Sequence, residues 1–173
     1  GKPMIAYSIE AALASHLFDA VYVCTEDEQI ASISREYGAE VPILMPPELC
    51  GDLVASHVPC QHMAEYLIEQ RGDSITSLLC LQPTSPLRSA DDIKNGIDRF
   101  AKGDLDFLVS VTPIDPHYFH WAMQEQDSGY WRMYFGDQFL LERPLLPPVF
   151  RPNGSIKIAR LDKLREKGSF FGE

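Results

Sequence analysis

The sequence predicts an α/β domain with a mostly parallel sheet and helices on both of its faces. Three observations predict it. Helical and strand-like stretches alternate from Met4 to Val111, the rhythm of strands joined by helical crossovers. The run Leu78-Leu79-Cys80-Leu81 is apolar at successive positions, as in a strand covered on both faces. That run stops at Gln82-Pro83-Thr84-Ser85-Pro86-Leu87-Arg88, a proline-clamped polar turn, and a helix opens after Ser89. Ligands of open α/β sheets bind beyond the carboxyl ends of strands, which makes Gln82, Thr84, Ser85 and Arg88 candidate contact residues. The alternative at this point is an ordinary connecting loop.

The elements follow in order. Met4 to Leu17 reads as an amphipathic helix, with Ile5, Ile9, Ala12, Leu13 and Leu17 on one stripe and Pro3 at its start. Ala20 to Cys24 is a strand. Glu28 to Tyr37 is a helix stopped by Gly38. Val41 to Met45 is a second strand closed by Pro46-Pro47, and Glu48 to Asp52 a loop. Val54 to Gln70 is a long helix. After the central strand and its turn come a helix from Asp91 to Lys102, capped by Ser89, and a strand from Asp106 to Val111. Pro113 to Pro148 departs from the alternation and is rich in aromatics. His120 to Glu125 and Tyr130 to Phe135 predict a hairpin around Gln126-Asp127-Ser128-Gly129, either a partner surface or a flap over the domain's own core. Phe150 to Gly154 is read as a tight turn, Ser155 to Ala159 as a strand, Leu161 to Lys167 as a helix, and Ser169 to Glu173 as a loose end.

The 173 residues are read as one domain, 1–173, with an arm at about 113–148. Hydrophobic content of 45% and charged content of 23% are those of a globular protein. A net charge of −10 excludes long nucleic acid as the expected partner. No run reaches the roughly 18 apolar residues of a membrane span, and the first residues lead straight into a helix with no secretory leader. The expected compartment is therefore the cytoplasm, with Cys24, Cys50, Cys60 and Cys80 as free thiols. Cys50, His57, Cys60 and His62 match no usual zinc spacing, and no metal is expected there.

Four stretches, in this order, carry a resemblance: Gly1 to Ile9; Pro47-Glu48-Leu49 with Asp52 and Ser56; Leu81 to Arg88; and Phe150-Arg151-Pro152-Asn153-Gly154-Ser155-Ile156. Together they resemble the cytidylyltransferases that activate sialic acids and related nonulosonic acids (CMP-sialic, CMP-legionaminic and CMP-pseudaminic acid synthetases), from the first residue to the last. The resemblance implies a three-layer Rossmann-like nucleotidyltransferase fold. It implies transfer of CMP from CTP to the anomeric hydroxyl of an acidic nine-carbon sugar, with pyrophosphate release, magnesium, and a homodimer through the arm. Position by position it implies Arg143 on the sugar carboxylate, Gln82 on the sugar, and Ser56 near the cytosine. It also implies Ser85 in the substrate wall, Arg88 near the reacting phosphate, Arg151 and Asn153 as catalytic residues beside the reacting centre, and Phe170 with Phe171 as an apolar wall. The chemistry suits these types: a guanidinium grips a carboxylate with two bonds, and an amide both donates and accepts.

The pattern also has departures. The family's glycine- and lysine-containing phosphate loop precedes the segment matching Gly1, and its magnesium-holding aspartates follow the two phenylalanines. Neither is found in these residues, so the expected magnesium lacks its ligands and activity of this chain is set against a non-catalytic sugar-binding, nucleotide-binding or dimerising module. The missing first strand would be central, so either its neighbours close up on each other or an arm or tail of a second copy fills the gap. Met45 stands at an arginine position of the family, His120 near a lysine position, and Lys157 at a tyrosine position. Asp104-Leu105-Asp106 enters a strand from the end opposite the ligand side and is not expected to bind metal. A relative acting on the eight-carbon acid KDO is a further alternative, less well matched by Arg151-Pro152-Asn153-Gly154.

Overall fold

The computed structural model describes residues 1–172. It divides into two compact units, one made of Gly1–Ser110 with the residues from Gly154 onward, the other of Val111–Asn153. The boundary falls within strands β2 (Phe107–Ile114) and β5 (Val149–Arg160). No helix among the described residues is long and apolar enough to cross a membrane.

The first unit opens with α1 (Met4–Ser15), which buries Ala6, Ile9 and Ala12. His16 leaves the helix in the left-handed conformation with φ 56°. The helix therefore ends two residues before Leu17, and Leu13 and Leu17, expected on the apolar stripe, are exposed. Helix α2 (Glu28–Glu36) is capped by the Asp27 carboxylate, which accepts from Ile30 N at 2.9 Å. Helix α3 (His57–Tyr66) passes into a wider turn at Leu67–Arg71, and Gly72 at φ 71° ends it. Helix α4 (Ala90–Lys102) has a reciprocal cap: Asp92 N donates to Ser89 Oγ at 3.1 Å and Ser89 N donates to Asp92 Oδ2 at 2.9 Å.

The expected mostly parallel sheet is corrected. The strand order is β1 (Ser77–Cys80), β5, β2, and β1 pairs antiparallel with β5 from Ser77↔Arg160 to Cys80↔Lys157. On the other side of β5, Arg160 N donates to Asp106 O, while Ile156 N donates to Ser110 Oγ, so the chain direction is again opposed. Strands β1 and β2, joined by the α4 crossover, keep a common direction. A strand running the other way has entered between them. The sequence signal hid this, because Phe150 to Gly154 reads as a turn but is extended and belongs to the 12-residue β5. Gly154 adopts a positive φ of 72° there.

The strands expected at 20–24 and 41–45 shrink to one isolated parallel bridge, Tyr22↔Glu40. Val23 N donates to Glu40 O and Glu40 N to Val21 O, and Met45 N reaches Thr25 O at 2.9 Å. Pro42 has no N–H to give and stops a ladder from forming between these points. The end at Ser169 onward is not loose: Phe170 is 3% exposed and packs with Ala159 and Leu164 of α6 (Leu161–Lys167). Glu173, the last residue of that predicted end, lies outside the described residues.

Core packing uses both faces of β1. Leu79 joins the cluster of Ala12, Ile93, Ile156 and Ile158, while Leu78 and Cys80 face Ala159, Leu164 and Phe170. Alternate side chains point to opposite faces of a strand, which accounts for the unbroken apolar run.

The second unit holds α5 (Pro116–His120) and a hairpin of β3 (Met123–Glu125) and β4 (Trp131–Met133). Gln126 N donates to Tyr130 O and Gly129, at φ 77°, closes the turn on Gln126 O. The hairpin is shorter than expected because His120 belongs to α5. Phe119 stacks on Phe135 with centroids 3.8 Å apart, whereas Tyr118, Tyr130, Trp131 and Tyr134 are exposed.

The α4 cap gives a direct test. Ser89→Ala removes one partner of the box and should cost about 1 kcal/mol in denaturant unfolding. The Asp92 carboxyl is held below the ordinary carboxylate range, first by the Ser89 backbone N–H and then by its hydroxyl. Its contribution is present above about pH 4 and should fade as pH falls through its lowered value. In Asp92→Asn that part of the acid dependence should be absent.

Candidate functional site

In the first unit the turn after β1 is tied to the motif on β5. Arg88 is 6% exposed, and its Nη1 donates to Ser155 O at 2.6 Å and to Gln82 O at 3.3 Å. Ser85 N donates to Gln82 O and Arg88 N to Ser85 O, so the turn is wound around these backbone groups. Arg88 Nε and Nη2 are buried without a partner among the described residues, and burial lowers the guanidinium's affinity for its proton. Gln82 is half-buried and its side chain lies against Gly154, where a Cβ would collide with Oε1. Gly154 thus serves both a positive φ and a close approach.

A second group forms around Lys157, the ladder partner of Cys80. Its Nζ donates to Ser56 Oγ at 2.9 Å and stands 5.9 Å from the centre of the Phe170 ring. Ser56 is the N-cap residue of α3 but makes no side-chain cap bond. The thiols of Cys24, Cys60 and Cys80 meet beside this group. Contact with the Cys24 thiol, with burial adding to it, pushes Cys60 up to about 12. Contact with Cys60 and then burial push Cys80 up as well. Both are neutral thiols at physiological pH. Phe171 is exposed, unlike Phe170. Met45, at the arginine position, is buried with Met63 and Leu67.

The second unit carries the other candidates. Arg143 is exposed and pairs with Asp115 Oδ2, while Asp115 Oδ1 caps α5 by accepting from His117 N at 2.9 Å. The cap, more than the arginine, holds the Asp115 carboxyl below its ordinary range. Asn153 Nδ2 donates to Thr112 Oγ1 at 3.0 Å. Arg151 is exposed on β5. His120 is buried against Phe119, with Nε2 3.4 Å from Pro147 O.

No group of three His, Cys, Asp or Glu side chains among the described residues could hold a metal ion. Asp104 and Asp106 both face Arg160, at 3.6 and 3.7 Å. With that pair engaged by an arginine, the described residues do not fit the magnesium implied by the resemblance.

The family model described as Cytidylyltransferase matches residues 1–122. The chain belongs to the cytidylyltransferase family. It is 32% identical over 115 residues to the pseudaminic acid cytidylyltransferase of Campylobacter jejuni, covering 66% of this chain and 49% of that one. It is 31% identical over 184 residues to the CMP-N,N'-diacetyllegionaminic acid synthase of Legionella pneumophila, covering all of this chain and 73% of that one. The match thus spans about half the length of the Campylobacter relative. Among solved structures, 4-diphosphocytidyl-2C-methyl-D-erythritol synthase from Anaerococcus prevotii shares the fold. Its TM-score is 0.59 at 11% identity, covering 98% of this chain and 69% of that one.

The resemblance implies Gln82, Ser85 and Arg88 along one motif, Ser56 near the cytosine, and Phe170 with Phe171 in an apolar wall. Within the first unit the structure forms two local groups, Gln82–Ser85–Arg88 with Gly154 and Ser56–Lys157 with Phe170. Sequence reasoning missed Lys157 as a member, and it missed the meeting of three thiols. The apolar alternation of β1 shows that Leu78 and Cys80 share a face, but only the ladder register reveals that Lys157 stands beside Cys80.

Gly154→Ala tests the approach of Gln82. The strained backbone should cost about 1–2 kcal/mol, read by thermal unfolding. Gln82→Ala in the same background should recover part of that loss by removing the collision; no recovery would separate the two residues.

Proposed function

We propose that this chain carries the sugar and nucleoside sides of a cytidylyltransferase site that moves CMP from CTP to a nonulosonic acid. One observation carries the reading: in one unit, two motif stretches far apart in sequence meet, and a third reaches the residue that follows one of them. Arg88 bonds Ser155, Gly154 receives Gln82, and Lys157 bonds Ser56. The family membership and the printed activities of the pseudaminic and legionaminic acid relatives support the substrate class. The fold likeness supports a Rossmann-like, three-layer arrangement.

In the proposed reaction the anomeric hydroxyl of the sugar attacks the α-phosphorus of CTP. A new P–O bond forms, the bond between the α- and β-phosphates breaks, pyrophosphate leaves, and the hydroxyl proton passes to solvent. Gln82 reads the sugar hydroxyls and Ser56 lies toward the base. Arg151 and Asn153 act at the reacting phosphate. Ser85, Phe170 and Phe171 complete the wall, and Arg88 orders it from within. Arg143 takes the sugar carboxylate by exchanging it for Asp115, one carboxylate for another. The exposed aromatics of the second unit support a homodimer through the arm, and four free cysteines support a cytoplasmic setting.

Pyrophosphate release with CTP, magnesium and a panel of nonulosonic acids tests the proposal. Arg143→Ala should raise KM for the sugar about tenfold or more, the value of a charge-assisted bond. Asp115→Asn keeps the α5 cap, since asparagine caps as well as aspartate, and frees the arginine. It should lower that KM by up to about fivefold, because an exposed pair holds its partners only weakly. Sugar binding sensitive to Arg143 without turnover would identify a binding module instead. An unchanged KM in both variants would remove Arg143 from the site. For the dimer, sedimentation should show Trp131→Glu as a monomer where the wild type is a pair.

A further inference from the structure

We infer that Lys157 and Ser56 form a binding position for an anionic oxygen of the ligand, a carboxylate or a phosphate. The inference rests on the cytidylyltransferase reading for its choice of ligands. Lys157 is half-buried on β5, the strand that lies between β1 and β2. Among the described residues no carboxylate lies within ion-pair distance of it. Its neighbours do not neutralise it either. Cys60 and Cys80 are protonated thiols, and the Phe170 ring offers only its face. A cation partly withdrawn from water and left unbalanced favours the arrival of a negative group.

The hydroxyl chemistry points the same way. Ser56 Oγ accepts from Lys157 Nζ at 2.9 Å, so its own proton is directed elsewhere. Nor is the oxygen engaged by the α3 backbone, since Ser56 Oγ accepts no cap bond from the N–H groups of the first turn. The ammonium has two further N–H groups. Hydroxyl and ammonium donors thus stand together at the positive end of a ten-residue helix, whose dipole adds to the attraction. Lysine acts here as a point charge on a short tether, held by its own hydrogen bond and by the aromatic face. The carbon stem lies in the ladder opposite Cys80, which fixes where the charge can reach.

Calorimetry on the whole chain separates the two sources of the anion. The probes are cytidine, CMP, N-acetylneuraminic acid and its methyl ester. Lys157→Met should weaken either CMP or the free sugar acid by about tenfold or more, and leave cytidine and the ester unchanged. Loss of CMP assigns the phosphate, and loss of the acid assigns the carboxylate. Lys157→Arg should retain most of the affinity. Ser56→Ala, which keeps the ammonium, should weaken the same charged probe by a smaller factor and serves if Lys157→Met does not fold. Equal binding of all four probes by wild type and Lys157→Met would overturn the inference, as would equal weakening of charged and uncharged probes. A charge-selective loss in a chain that never releases pyrophosphate would keep Lys157 and sink the transferase reading. Wild type that binds none of the probes would sink both.

Discussion

A single buried guanidinium holds the candidate site together. Arg88 reaches two backbone carbonyls, one on its own turn and one 67 positions away on β5. Neither carbonyl carries charge, so the cation is stabilised by dipoles and not by an ion pair. Its remaining nitrogens are buried without partners among the described residues. Such an arrangement costs free energy that a purely apolar packing would not. What it gives in return is position: the turn bearing Gln82 and the bend at Gly154 are fixed to each other through one side chain. Leucine or methionine could fill the volume, but neither could bond both carbonyls.

Much of the local structure was legible because it depends on short-range chemistry. The cap at Ser89, the helix over Leu161–Lys167 and the Gln126–Gly129 turn follow from residues within a few positions of one another. The direction of β5 was not legible. Pro152, Asn153 and Gly154 are turn residues by type yet lie within β5, and the direction of that strand shows only where its far end pairs with β1. The strands at 20–24 and 41–45 were overread because the apolar pattern outweighed Pro42, whose missing N–H limits the pairing to one bridge.

The site divides in the same way. Gln82 and Arg88 come from one motif, but the motif gives no sign that Arg88 reaches two backbone carbonyls, one of them on β5. Lys157 stood out only as a departure from a family position, whereas its neighbours are set by a register that no single stretch encodes. Asp115 was missed altogether. Its two oxygens serve different partners, a helix end and Arg143, and sequence spacing gives no sign of the second.

The position of β5 also bears on how the protein is made. The strand that lies between β1 and β2 is made after both of them, and its Arg160 pairs with Ser77 across nearly half of the sequence. Until it arrives, β1 and β2 each show an unpaired edge to their surroundings. Closing so long a loop is slow compared with forming the helices. A nascent chain of this protein therefore passes through a state of formed helices and open strands, the stage at which a chaperone has most to protect.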